Sequence, residues 1–304
     1  MKLIVILGPT ASGKTALAAR LAFELEGEII SADSRQVYRG MDIGTGKDLK
    51  DYLIEGMQIP VHLVDIVNPG YEYNIYEFKR DFARVYQEIS SRGKQPLLCG
   101  GSGMYLESVL KGYELKPASA DSRLLASLET KSREELSALL LSLRIPHNTT
   151  DLTDRVRMIR AITISLASSP AHNDHTEHPK IDSIIFGISL EPEVLRQRIN
   201  SRLEERLQTG MVEEVQKLLD SGVTPAQLKF YGLEYRYITM FIEKEIDYQT
   251  MFRLLSIAIH QFAKRQRTWF RRMERQGFNI QWIDGNFPLE EKLVLIKTTL
   301  IGLS

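Results

Sequence analysis

Gly8-Pro9-Thr10-Ala11-Ser12-Gly13-Lys14-Thr15 fits the phosphate-binding loop template: glycine, four free positions, glycine, lysine, then serine or threonine. Its flanks agree with that reading. Leu3-Ile4-Val5-Ile6-Leu7 is an apolar, β-branched run that predicts a buried strand. From Thr15 to Leu25, apolar residues return at helical spacing through Leu17 and Leu21. Strand, loop and helix in this order aim consecutive backbone N–H groups and a helix N-terminus at an anion. The glycines let the backbone approach closely, Lys14 supplies a point charge, and the Thr15 hydroxyl is suited to a Mg²⁺ shell. The motif specifies phosphate and is silent about what carries it.

Working outward, Glu28-Ile29-Ile30-Ser31-Ala32 predicts a second strand that delivers Asp33 and Ser34 at its carboxyl end, the end where ligands sit in open parallel sheets. Residues 35–50 hold Gly40, Gly44 and Gly46 without a clean period and read as loop. Val61 to Ile66 is a third candidate strand, Ile75 to Arg92 an amphipathic helix, and Pro96-Leu97-Leu98-Cys99 a fourth strand ending in the turn Gly100-Gly101-Ser102-Gly103. The alternation implies an α/β fold, a P-loop NTPase-like parallel sheet with helices on both faces. From about Ala118 to Ala171 the period is helical throughout. Ser132-Arg133-Glu134-Glu135 there resembles a capping box, and Arg155 to Leu166 is a helix. Ile181 to Leu190 returns to the sheet. Four helices follow, from Glu191 to Gln208, Val212 to Asp220, Leu233 to Glu243 and Tyr248 to about Arg275. A late strand, Asn279 to Ile283, and a closing helix end the chain. The expected organisation is a P-loop core over 1–117, an all-helical insertion over 118–180, and completion of the core over 181–304.

The 304 residues carry 39 basic and 39 acidic side chains, so no global field draws a polyanion, and any nucleic-acid contact must come from local clustering. One cysteine, Cys99, excludes an internal disulfide and a multi-cysteine zinc site, and suits a reducing compartment. The first strand begins at the amino terminus, leaving no room for a signal peptide, and no apolar run is long enough to span a bilayer. A soluble, cytoplasmic protein is expected. His172, His175 and His178 cluster ahead of a strand, where a solvated turn is the expectation rather than a metal site.

Three further features bear on chemistry. Asp33, just past a strand and near the phosphate loop, is placed either to coordinate Mg²⁺ or to accept a proton, or simply to cap a turn; Asp65 competes for the metal role. The Gly100–Gly103 turn either presents Ser102 and free N–H groups to a ligand or is a tight strand-to-helix connection. Lys264, Arg265, Arg267, Arg271, Arg272 and Arg275 share one helical face about 160° wide at ~100° per residue, with Ile259, Phe262, Ala263, Trp269, Phe270 and Met273 opposite. A one-sided basic helix in a neutral protein suggests a polyanion, most often nucleic acid, against the plainer reading of a solvated face. Arg198, Arg202 and Arg206, four apart, form a ridge fit to clamp pyrophosphate.

Five stretches taken together resemble a known family. Gly8 to Thr15, Ser31-Ala32-Asp33-Ser34-Arg35-Gln36-Val37-Tyr38, Met41-Asp42-Ile43-Gly44-Thr45-Gly46-Lys47, Gly100-Gly101-Ser102-Gly103-Met104-Tyr105 and Ala263-Lys264-Arg265-Gln266-Arg267-Thr268-Trp269 are similar, in order, to the motifs of the tRNA dimethylallyltransferases. The resemblance implies transfer of a dimethylallyl group from its diphosphate to the exocyclic amine of the adenosine 3′-adjacent to the tRNA anticodon. It implies that Thr10, Ala11, Ser12, Gly13, Lys14 and Thr15 hold the diphosphate, with Thr15 towards Mg²⁺, and that Asp33 is the general base. Ser102, where the family usually has threonine, would hydrogen-bond near the reacting centre. Arg123 and Arg202 would contact the leaving pyrophosphate. Asp33, Ser34, Arg35 and Gln36, with Arg157 and Arg160 of the insertion and Lys264, Arg265, Arg267 and Arg271 of the basic helix, would contact the anticodon stem-loop. The chain departs from the family at Gly232-Leu233, usually glycine-tyrosine, and at Arg160-Ala161-Ile162-Thr163, usually Arg-Ala-Leu-Glu. A monomer is expected. A small-molecule kinase using the same loop for ATP is the alternative, and the basic helix argues against it.

Overall fold

The computed structural model describes residues 2–112, 122–143, 152, 154–167 and 181–302. Its strands are β1 (Leu3–Leu7), β2 (Glu28–Ser31), β3 (Leu53–Ile54), β4 (Met57–Gln58), β5 (Val61–His62), β6 (Pro96–Gly100), β7 (Ser183–Ser189) and β8 (Ile280–Asp284). Its helices are α1 (Lys14–Glu24), α2 (Ile75–Ser91), α3 (Gly103–Leu110), α4 (Ser122–Glu129), α5 (Arg133–Leu143), α6 (Arg155–Ala167), α7 (Pro192–Gln208), α8 (Met211–Asp220), α9 (Pro225–Tyr231), α10 (Leu233–Ile242), α11 (Tyr248–Arg275) and α12 (Leu289–Gly302). The chain divides into two units, one of residues 1–111 and 180–304 and one of residues 112–179.

The larger unit is built on a six-stranded sheet in the order β5-β2-β6-β1-β7-β8, parallel at every pairing. β1 lies inside it and is buried along its whole length, which is why its sequence is continuously apolar and does not alternate. Leu3, Val5 and Leu7 face a layer formed by Phe78 and Phe82 of α2, Leu106 and Val109 of α3, and Phe270 and Met273 of α11. Ile4 and Ile6 face the opposite layer, Leu17, Leu21 and Ala22 of α1 with Leu293 and Ile296 of α12. Beyond the sheet, α7, α8, α9, α10 and the first half of α11 share a third core with Val37, Tyr38 and Met41.

Register decides what meets at the carboxyl edge. Leu7 pairs with Gly100 and Ser31 with Cys99, so the chain leaving β1 reaches Gly8 beside Gly101, and the chain leaving β2 reaches Asp33 at the same level. Gly100 permits this closeness: a Cβ there would lie 2.2 Å from the Ala32 carbonyl oxygen.

In the smaller unit, Leu128, Leu136, Leu140, Met158 and Ile162 form a separate core under α4, α5 and α6. The capping box that opens α5 is present: Ser132 N–H donates to Glu135 Oε2 at 2.6 Å, and Glu135 N–H donates to Ser132 Oγ at 3.2 Å. The histidine-rich turn at 172–178 lies outside the described residues.

Two expectations change. The third candidate strand shrinks to Val61–His62 because Leu63 and Asp65 adopt left-handed backbone, φ 63° and 55°, which ends pairing. Beyond the loop read at 35–50, in a stretch given no element from the sequence, lies a small antiparallel hairpin, β3 with β4, whose side chains are largely exposed and leave no period to detect.

Candidate active site

The loop after β1 wraps into α1 through two left-handed residues, Ala11 at φ 59° and Gly13 at φ 83°. That bend is how the backbone presents several N–H groups to one side, and Gly13 bears it at no steric cost. Ser12 is buried, and its Oγ has no hydrogen-bond partner among the described residues. Lys14 is half-buried, and among the described residues its Nζ donates only to the Pro9 carbonyl, at 3.3 Å. Burial lowers the Lys14 pKa, and its ammonium also senses the charges of Asp33, Arg202 and Asp48, so these four groups share one field. The Thr15 hydroxyl, in the first turn of α1, makes no hydrogen bond to the described residues. Cys99 lies beneath, donating its thiol to the Lys14 carbonyl at 3.7 Å; burial pushes its pKa up to about 12, so it is a packing residue and not a nucleophile.

A buried amide fixes the loop. Gln266 of α11 accepts the Thr10 N–H at 2.9 Å through Oε1 and donates through Nε2 to the Gly101 carbonyl at 2.9 Å. A Cβ on Gly101 would lie 2.5 Å from that Nε2. The basic helix, the phosphate loop and the turn after β6 are thus joined at one side chain. The turn is joined in the same way to the chain after β2. Ser102 Oγ accepts the Ser34 N–H at 3.2 Å, and Ser102 N–H donates to the Ala32 carbonyl at 3.3 Å.

Asp33 is half-buried between them. Its Oδ1 accepts the Arg35 N–H at 2.9 Å, an Asx-type turn, while Oδ2 has no partner among the described residues. Arg35 lays its guanidinium 5.7 Å from the centre of the exposed Phe230 ring. Gln36 is not a surface group. It is buried, accepting from Ser31 Oγ and donating to the Gly46 carbonyl, both at 3.0 Å, so it ties β2 to the following loop.

That loop is charge-locked. Lys47, fully buried, donates to the Tyr38 carbonyl at 2.7 Å, to Asp42 at 2.6 Å and to Asp65. Asp65, read as a competitor for metal, is thereby an ion-pair partner. Glu214 accepts the N–H groups of Asp42, Ile43 and Gly44 at 2.9, 2.7 and 3.0 Å, and the Tyr235 hydroxyl at 2.6 Å. The arginine ridge on α7 splits. Arg198 turns to the Gly285 carbonyl at 3.4 Å, whereas Arg202 and Arg206 converge on Asp48. Burial raises the Asp48 pKa, but the two guanidinium groups outweigh it and leave the carboxyl below its usual range. Glu234, at the start of α10, borders the same cavity as Thr10, Arg202 and Arg206; burial pushes its pKa up despite those arginines.

Along α11, Lys264, Arg265 and Arg271 are exposed and Arg267 is half-buried. Lys264, Arg267 and Arg271, with Arg196 and His260, line a cavity of about 480 Å³ between α7 and α11, and Arg265 lies outside it. Two assignments on this helix change. Phe262 is 38% exposed, lying off the buried row of Ile259, Ala263, Gln266, Phe270 and Met273. Arg272 leaves the basic face to stack 3.9 Å above Trp269 and bond Glu107 at 2.5 Å. In the smaller unit, Arg123 on α4 and Arg160 on α6 are exposed. Arg157 lies on α6, and its side chain is outside the described residues.

Asp48, Glu234 and the role of Gln266 were not singled out from the sequence. Gln266 carried a signal: it is the one polar residue in the buried row of α11, spaced three from Ala263 and four from Phe270. Among the described residues no three metal-ligating side chains cluster, and no helix is long and apolar enough to cross a membrane.

Comparison with known proteins places this geometry. The family model described as IPP transferase matches residues 36–273, and one described as isopentenyl transferase matches residues 1–70. The chain is 54% identical over 291 residues to a tRNA dimethylallyltransferase 2 of Phocaeicola vulgatus, covering 96% of this chain and 95% of that one. It is 53% identical over 298 residues to a tRNA dimethylallyltransferase 2 of Bacteroides fragilis, covering 98% and 97%. The solved tRNA isopentenylpyrophosphate transferase of Bacillus halodurans superposes with a TM-score of 0.72 at 30% identity, over 99% of this chain and 96% of that one. A family model over most of the chain and relatives more than 50% identical over nearly all of it agree: the chain belongs to the tRNA dimethylallyltransferase family of prenyltransferases.

Proposed function

We propose that this chain transfers a dimethylallyl group from dimethylallyl diphosphate to the exocyclic amine of the adenosine 3′-adjacent to the anticodon of a tRNA, releasing diphosphate. The observation that carries the residue assignments is the linkage through Gln266 and Ser102. An N–H-rich anion cradle and a carboxylate with a free oxygen belong to one hydrogen-bonded assembly.

In this reading the allylic carbon–oxygen bond breaks with its electron pair leaving on the diphosphate, and the amine nitrogen forms the new carbon–nitrogen bond. Asp33 takes the proton that the nitrogen loses. The backbone N–H groups of residues 10–15, with Lys14 and Arg202, accept the charge that grows on the leaving group, in a half-buried site where such interactions are strong. Ser102 holds the chain on which Asp33 stands. Arg123 is taken as a second pyrophosphate contact from its match to the family. Hard oxygen donors suit Mg²⁺, which usually takes few protein ligands and completes its shell from phosphate and water. The unpartnered Thr15 hydroxyl fits that pattern. Bound there, Mg²⁺ would neutralise charge on the diphosphate.

An aromatic amine inside a stacked loop cannot reach such a site, so the adenosine must be turned out, at a cost of a few kcal/mol that is smallest in single-stranded RNA. We assign the grip on the anticodon stem-loop to Ser34, Arg35, Lys264, Arg265, Arg267 and Arg271, with Arg157 and Arg160 of the insertion, and take the protein to work as a cytoplasmic monomer. The kinase alternative is not favoured, because the family relationship extends across the whole chain. Incubation with unmodified tRNA, Mg²⁺ and labelled dimethylallyl diphosphate tests the reading: label should enter the RNA. Transfer of phosphate from ATP with no response to tRNA would favour the kinase.

A further inference from the structure

Arg202 and Arg206 stand one turn apart on α7, so their like charges face the same way. Both turn to Asp48: Arg202 bonds its Oδ2, and Arg206 Nη2 lies 3.3 Å from each of its oxygens. The segment that carries Asp48 is bent to make this contact. Gly46 has φ +69°, and Asp48 itself adopts left-handed backbone at φ 39°, ψ 54°, a conformation aspartate tolerates better than most side chains. A Cβ on Gly46 would meet Arg206 Nη2 at 2.4 Å and Arg202 Nη2 at 2.9 Å, so the backbone lies directly against the two guanidinium groups. The Arg206 pKa is lowered by burial and then by Arg202, and Asp48 and Glu234 offset this only in part, as expected of two crowded cations. Lys14 senses both Asp48 and Arg202, so this cluster and the phosphate loop act on the same space.

We propose that Asp48 is a resident counter-ion: it holds Arg202 and Arg206 in the absence of diphosphate and competes with diphosphate for them. This rests on the reading above that Arg202 contacts the diphosphate. Among the described residues Asp48 is the carboxylate hydrogen-bonded to both guanidiniums, while Glu234 borders the same cavity and acts on Arg206 without a bond; a diphosphate, with more charge and more acceptor oxygens than Asp48, displaces it. The arginines are then preorganised between turnovers, and the returning carboxylate helps the product leave. Asp48 is a positioning residue here and touches no reacting atom.

The test is binding of inorganic diphosphate with Mg²⁺ to the full chain, by calorimetry, with dissociation followed by stopped flow. Asp48→Asn removes the competitor and should bind at least fivefold tighter and release more slowly, while Asp48→Glu, which keeps the charge, should stay near the parent. Arg202→Gln separates the two layers of the argument. If Arg202→Gln weakens binding and Asp48→Asn does not tighten it, the counter-ion proposal is overturned and the diphosphate role of Arg202 stands. If Arg202→Gln changes nothing, that role fails, and the proposal with it. Should Asp48→Asn lose its cooperative thermal melt, the comparison is made on an Arg206→Gln background, where one guanidinium remains to be balanced; tightening is again required.

Discussion

The amide oxygen of Gln266 accepts the Thr10 N–H at 2.9 Å across 256 positions of chain, while the other end of the same amide holds the Gly101 carbonyl. A helix whose outer face is basic is therefore wired, through its inner face, to the phosphate loop. Replacing Gln266 by methionine keeps the volume but orphans one donor and one acceptor in a buried place, at about 1–3 kcal/mol. The variant should melt several degrees lower, and the KM for dimethylallyl diphosphate should rise more than kcat falls. Steady-state kinetics beside a thermal melt check both.

Gly46→Ala should damage the arginine pair specifically. The position has φ +69°, and the added methyl would run into Arg206 and Arg202. Backbone strain alone is worth about 1–2 kcal/mol. Diphosphate affinity should fall by a larger factor than in Gly40→Ala, also at positive φ but with open space around it. Calorimetric titration of the two variants side by side decides it.

Glu234 gives a pH signature of definite sign. Its folded pKa is raised, mainly by burial, so its stabilising contribution is full below the ordinary glutamate range and is lost as pH rises through the raised value. Glu234→Gln should therefore be more stable than the parent at pH 7, the difference vanishing towards pH 4. Urea midpoints at the two pH values read this directly, and an equal gain at both would refute the assignment.

The exposed charges of α11 should behave as phosphate contacts. For each of Lys264→Ala and Arg271→Ala, the slope of log K against log salt for tRNA binding should shrink by about 0.7–0.9. Thermal stability should hardly change, since both side chains are exposed.

Most of the sheet was legible because its strands are buried on both faces and so read as unbroken apolar runs, β1 and β6 above all. The bend after β1 was legible because Gly8, Gly13, Lys14 and Thr15 stand at fixed spacing between an apolar strand and a periodic helix. What escaped depends on partners distant in sequence. Nothing near Asp48 announces that two arginines 154 and 158 residues later will claim it. Asp65 looked free for metal because Lys47, its partner, lies 18 residues upstream. Gln36 matched a motif linked to RNA, yet its amide bonds inward to Ser31 and Gly46. Sequence pattern located the charges, and packing decided which of them pair with each other.

The central claim is that Asp33 removes the proton from an adenine amine held against the allylic diphosphate. Single-turnover transfer from labelled dimethylallyl diphosphate to tRNA by Asp33→Asn, with tRNA and diphosphate affinities measured on the same preparation, addresses it most directly. The account predicts a rate lower by about 10²–10⁴-fold with both affinities within a few-fold of the parent; a variant that transfers at nearly the parental rate would contradict it.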